Sequence, residues 1–103
     1  TTKPREVRMP VNSVDRIVEE LKLERVDFIK MDVEGAERHA IAGAKQTLGK
    51  FHPRMSIATE NLDDDQYVVP QSVRQAWPGY KQECGRCMMT EDRRMRPDVV
   101  YFY

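Results

Sequence analysis

At 103 residues the chain has room for one small domain with a thin core, because short chains hide a smaller share of their surface on folding. Basic and acidic residues balance at 17 each, which excludes a global field for a polyanion or an anionic membrane, so nucleic acid is not an expected partner. Apolar residues make up 40% against 33% charged, and the aromatic and β-branched ones come in clusters, which argues for a folded chain over disorder.

In chain order, Glu6 to Val11 alternates polar and apolar side chains as a strand does, and Asn12 or Ser13 then offers an oxygen to cap a helix. Val14, Ile17, Val18 and Leu21 recur on one helical face, with Asp15 in the first turn at the positive end of the dipole. Val26 to Val33 is short, apolar and β-branched and stops at Glu34-Gly35, which predicts a strand covered on both faces, as in a parallel sheet. Ala36, Ala40, Ile41, Ala44, Leu48 and Phe51 predict one helix that must end before Pro53, with Gly43 inside it as a mark of close backbone packing.

Met55 to Thr59 predicts a second strand, and strand, helix and strand together make a right-handed βαβ unit. The polar loop Glu60 to Asp65 leads to a weaker helix with Pro70 in its first turn and Val73, Ala76 and Trp77 on a narrow apolar face, closed by Pro78-Gly79. Tyr80 to Cys84 and Asp98 to Tyr103 predict a terminal antiparallel hairpin around a charged loop, with a short extended piece at Cys87 to Met89. Trp77, Tyr101, Phe102 and Tyr103 are expected to fill the core. No apolar run approaches the roughly 20 residues that span a bilayer. Thr1 to Glu6 lacks the apolar core of a signal peptide, so no membrane partner and a cytoplasmic location are expected.

The stretch Asp27-Phe28-Ile29-Lys30-Met31-Asp32-Val33-Glu34-Gly35-Ala36-Glu37, followed by Ala40 and Gly43-Ala44, resembles the signature of FkbM-type methyltransferases, in which a strand runs into Asp-x-Glu-Gly-x-Glu. Ser13-Val14-Asp15 resembles the family's short Leu-Asp turn with valine for leucine, and Pro53 to Ile57 before an acidic loop also fits. The resemblance implies an α/β fold: the C-terminal part of a Rossmann-like class I methyltransferase sheet, mostly parallel with an antiparallel terminal hairpin. It makes residues 1–103 one partial domain. It implies S-adenosylmethionine as cofactor and a small-molecule acceptor, a metabolite or sugar hydroxyl. The five glycines form no Gly-x-Gly turn, so the family's main cofactor anchor is expected to lie outside this stretch.

Ligands of open α/β sheets sit beyond the carboxyl ends of the strands. With Val26 to Val33 as the fourth strand of the resembled fold, Asp32, Glu34 and Gly35 reach that crevice and are the expected cofactor contacts, while Asp32 and Glu60 are the expected catalytic carboxyls. Glu37 is a weaker candidate, read mainly as a helix-dipole residue, and Asn61 shares the rim. The competing reading is that Asp32 and Glu34 merely cap the following helix. Asp63, Asp64 and Asp65 are read as a solvated loop, and no metal is expected.

Cys84 and Cys87 have redox or half-zinc spacing, but a redox pair opens a helix after a strand and zinc needs two further ligands. His39 and His52 read as surface residues remote from them. Two cysteines are too few for a disulfide framework, suit a reducing compartment and read as edge-strand residues. Beside the enzyme reading stands a non-catalytic interaction module, a homo-oligomer that associates through an exposed sheet edge.

Overall fold

The computed structural model describes residues 11–103; the strand expected over Glu6 to Val11 lies, but for Val11, outside the described residues. Helix α1 spans Val14–Glu20 and is capped by Ser13, whose Oγ accepts from the Arg16 N–H at 3.2 Å. Its apolar face is only partly covered: Val14 packs against the core, while Ile17 and Leu21 are exposed. The reason is its seat. α1 lies on the N-terminus of a later helix, where the Asp15 N–H donates to the Gly43 carbonyl at 2.9 Å.

Strand β1, Phe28–Met31, pairs in parallel with β2, Arg54–Ala58, with Phe28 opposite Arg54 and Met31 opposite Ile57. The single helix expected between them is two, α2 at Glu37–Ala42 and α3 at Lys45–Phe51. The break falls at Gly43-Ala44. The Asp15 carboxyl accepts from the Gln46 N–H, the Thr47 N–H and the Thr47 hydroxyl at 3.0, 2.8 and 2.7 Å, so α3 receives its own N-terminal acceptor from α1. Gly43 is tight as expected, since a Cβ there would stand 3.0 Å from the Ser13 Cβ.

Helix α4, Asp65–Ala76, begins earlier than expected and leaves Pro70 inside it rather than in its first turn. Its start is set by charge instead: Asp65, buried, takes the Leu62 N–H at 3.1 Å and the Arg38 Nε at 3.0 Å. The chain then forms β3, Gln82–Met89, and β4, Met95–Phe102, a hairpin longer than expected because an irregular register at Cys84 to Cys87 carries the pairing onward. Cys84 and Cys87 lie on this edge strand with Cα atoms 6.1 Å apart and their sulfur atoms brought together, a juxtaposition that the sequence does not announce.

The sheet order is β1-β2-β4-β3. The hairpin folds back so that β4, not β3, pairs with β2, and the two pairings that β4 makes are antiparallel. The expected mostly parallel sheet is therefore corrected: β1, β2 and β3 point one way, but with β4 set among them only the β1–β2 pairing is parallel.

The clustered core side chains of the sheet face one side. Met31, Met55, Ile57, Val100 and Phe102 meet Ile41, Ala44, Leu48, Val69 and Val73 of the helices. A fully buried side chain such as Leu48 or Ile41 contributes roughly 1.5–3 kcal/mol over its exposed state. Among the described residues the opposite face stays open, with Phe28 60% exposed and Tyr101 46%. This corrects two expectations. β1 is not covered on both faces, and of the terminal aromatics only Phe102 enters the core, because alternation turns Tyr101 and Tyr103 outward. Trp77 is half-buried and stacks on His52, ring centroids 3.7 Å apart. Among the described residues no helix is long and apolar enough to cross a membrane.

Candidate active site

Because β1 and β2 are parallel, their carboxyl ends open on one rim. β1 ends at Met31 and β2 at Ala58, and Asp32 and Glu60 follow them outward. Both are exposed, as is Glu34. The turn between β1 and α2 holds two consecutive left-handed residues, Glu34 at φ 50° and Gly35 at φ 102°. A non-glycine residue at positive φ is uncommon, and such conformations gather at sites whose surroundings over-determine them.

The helix-capping alternative for Asp32 and Glu34 does not describe this turn. The N-cap of α2 is Ala36, and no side chain caps the helix. The carboxyl that reaches the turn is Glu37, wholly buried, whose two oxygens accept from the Gly35 N–H at 3.1 and 3.2 Å. Its Oε1 also accepts from the Asn61 side-chain amide at 2.9 Å. Sequence reasoning ranked Glu37 as a residue that merely meets the helix dipole. The signal that would have promoted it is an acidic residue two positions after a turn glycine, with an amide side chain waiting at the end of the next parallel strand.

The second loop is pinned on both sides of Glu60. Thr59 donates from its N–H to the Asp98 carbonyl at 2.8 Å and from its hydroxyl to the Pro97 carbonyl at 2.6 Å. Beyond Asn61, the Arg38 guanidinium binds Asp64 and Asp65. The hydrogen bond from Arg38 holds the Asp64 carboxyl below its ordinary value, and the same contact raises Arg38. Asp64 and Asp65 are thus tied to an arginine, and Asp63 remains exposed. Among the described residues no group of three or more His, Cys, Asp or Glu side chains is placed to hold a metal ion. His39 is exposed on α2, and neither histidine approaches the cysteine pair as a ligand.

A groove of about 440 Å³ adjoins the turn, lined by Val33, Ala36, His39 and Ala40 together with Asn12 to Val14. Gly35 itself faces open space, with nothing within 4 Å of where a Cβ would stand. The sequence-predicted residues Asp32, Glu34, Gly35 and Glu60 therefore follow the ends of two neighbouring parallel strands, with Asn61 exposed beside Glu60 and Glu37 buried beneath.

An α/β chain with this arrangement is similar in fold to part of a solved methyltransferase. Methyltransferase FkbM from Methylobacillus flagellatus KT superposes with a TM-score of 0.65 at 25% sequence identity, over 84% of this chain and 22% of that one. The methyltransferase FkbM domain matches residues 2–86, and the chain belongs to that family. It spans about a fifth of the length of the solved relative. No curated protein matches it significantly.

Proposed function

We propose that the chain supplies the acceptor-side rim of an S-adenosylmethionine-dependent methyltransferase of Rossmann-like fold that acts on a hydroxyl of a small metabolite or sugar. The observation that carries this reading is the Glu34-Gly35 turn at the end of β1. Two successive left-handed residues hold Asp32 and Glu34 outward on the same rim as Glu60, with none of the three spent on capping α2. The donor set suits the cofactor. Its sulfonium and ammonium are cationic and its ribose hydroxyls donate hydrogen bonds, and exposed carboxyls answer both.

When bound, S-adenosylmethionine supplies an electrophilic methyl group on a positively charged sulfur. The residues of this chain hold, orient and deprotonate. Asp32, Glu34 and the Gly35 backbone line the cofactor side. Asp32 and Glu60 bracket the acceptor hydroxyl, and one of the two accepts its proton as the oxygen attacks. Family membership and the fold of the solved relative support methyl transfer in general; the hydroxyl acceptor and the roles of these carboxyls are the proposed part.

The test is calorimetric titration with S-adenosylmethionine, using this chain and the chain extended N-terminally to the family's complete domain. The extended protein is expected to bind clearly and the 103-residue chain weakly or not at all. Loss of the general base costs about 10²–10⁴-fold, so Asp32→Asn or Glu60→Gln in the extended protein is expected to lower kcat in that range. No binding by either protein sinks the reading.

A further inference from the structure

We propose that Glu37 is the positioning residue of the rim: its buried carboxyl locks the turn after β1 to the loop after β2, so that Asp32, Glu34 and Glu60 are presented on one fixed frame. This rests on the reading of those three carboxyls as the working groups of the site.

The geometry sets Glu37 apart from an ordinary first-turn acid. A carboxyl that only meets a helix dipole stays in water, since burying it without partners is costly. Glu37 is 0% exposed, and its hydrogen bonds leave its own helix: one set to Gly35 in the preceding turn, one to Asn61 on the neighbouring loop. Gly35 stands at φ 102° beside Glu34 at φ 50°, and such a turn keeps its shape only when its surroundings hold it. The Gly35 amide is the one group of the turn that Glu37 grips. On the far side Asn61 is the residue next to Glu60, and Thr59 on the other flank is fixed to β4. Glu60 is therefore an exposed carboxyl between two tethered neighbours.

The adjacent Arg38 reaches the same loop farther along, at Asp64 and Asp65. Two consecutive residues at the start of α2 thus hold both ends of the segment from Asn61 to Asp65. Without Glu37 the two parallel strands still pair and Arg38 still reaches Asp64 and Asp65, but the Gly35 turn loses its bridge to Asn61 beside Glu60.

Glu37→Gln and Glu37→Ala separate positioning from mere filling of space. Oε1 alone accepts from both Gly35 and Asn61, so a glutamine oxygen can keep both contacts, whereas alanine loses both. In 1H–15N NMR spectra of this chain, Glu37→Ala should displace the Gly35 amide and the Asn61 side-chain amide together and speed Gly35 hydrogen exchange. Glu37→Gln should leave both near their places, and the amides of β2 and β4 should keep their protection in each.

In the extended protein, affinity for S-adenosylhomocysteine should fall by roughly tenfold in Glu37→Ala, the scale of one lost hydrogen bond to a charged group, and recover in Glu37→Gln to within about threefold. Asn61→Ala should weaken binding alone but add nothing to Glu37→Ala, because both break one brace. Unmoved Gly35 and Asn61 signals in Glu37→Ala, wild-type affinity in that variant, or additive losses would overturn the proposal. Should Glu37→Ala fail to fold, Asn61→Ala carries the test: it must shift the Gly35 amide across the rim, and an unmoved amide overturns the brace. Should the unsubstituted extended protein bind no ligand, the cofactor reading fails, and the NMR outcome alone decides the brace.

Discussion

Asp15 sits in a seven-residue helix, yet its carboxyl takes three hydrogen bonds from Gln46 and Thr47 at the start of another. Removing a side chain that satisfies the free amides of a helix start costs about 0.5–2 kcal/mol. Here the Thr47 hydroxyl, on a buried residue, is orphaned as well, so Asp15→Ala should lower the urea unfolding free energy by roughly 2 kcal/mol, at the upper end of that range. A change within error would show that α3 is capped some other way. Gly35 offers a cleaner case, because a Cβ there meets no atom within 4 Å and only the backbone at φ 102° resists it. Gly35→Ala should cost about 1–2 kcal/mol from conformation alone, read as a fall in midpoint with the slope unchanged. A neutral outcome would mean that the turn relaxes and that its left-handed pair is not held.

Between elements, the contact best suited to titration is the one that joins the approach to β3 with the approach to β2. The Tyr80 hydroxyl donates to the Pro53 carbonyl at 2.6 Å, and the ring packs edge-on against Trp77 and Phe102. Burial pushes the Tyr80 hydroxyl up to about 12. The sign follows from linkage. The folded state keeps its proton where the unfolded chain, ionising near 10, has lost it, so the contribution is intact below pH 10 and disappears as pH rises through 12. Stability should fall across that window, and Tyr80→Phe should remove this component of the fall while costing about 1 kcal/mol at neutral pH. An unchanged alkaline profile in the variant would exclude Tyr80 as its source.

At the same scale, what the sequence discloses is local. The apolar run ending at Glu34-Gly35 announces β1 and its turn, since strand and stop lie within ten residues of each other. The break at Gly43-Ala44 is imposed by Asp15 from another helix, and helical periodicity runs straight through it. Pro70 draws the expected start of α4 too late, because the true start depends on Arg38 binding Asp64 and Asp65. The place of β4 next to β2 is a long-range pairing that alternation along one strand does not encode. The site divides in the same way. Asp32, Glu34 and Glu60 are legible as strand-end acids, but Glu37 and Asn61 acquire their part only when two parallel strands bring them together.

Taken whole, the described residues form a slab 50 × 44 × 17 Å across, one sheet under one layer of helices. Parallel strands are ordinarily covered on both faces, and the parallel pair β1–β2 is covered on one by the described residues. Here Phe28, Lys30, Tyr101 and Tyr103 remain exposed, and a groove of about 500 Å³ runs between Phe28, Arg54, Glu83 and Tyr103. Among the described residues the outer edge of β1 is also unpaired, leaving a row of backbone donors and acceptors free. The only copy of such a surface present in a pure sample is another molecule of the same chain. Self-association of the 103-residue chain is therefore expected, with light scattering giving a mass above 12.1 kDa that rises with concentration. Phe28→Lys puts a charge on both the open face and the free edge and should return the chain to a monomer without loss of helix signal. A strictly monomeric, cooperatively folded chain before any substitution would show that the open face and edge tolerate water, and would remove self-association from the properties of this fold.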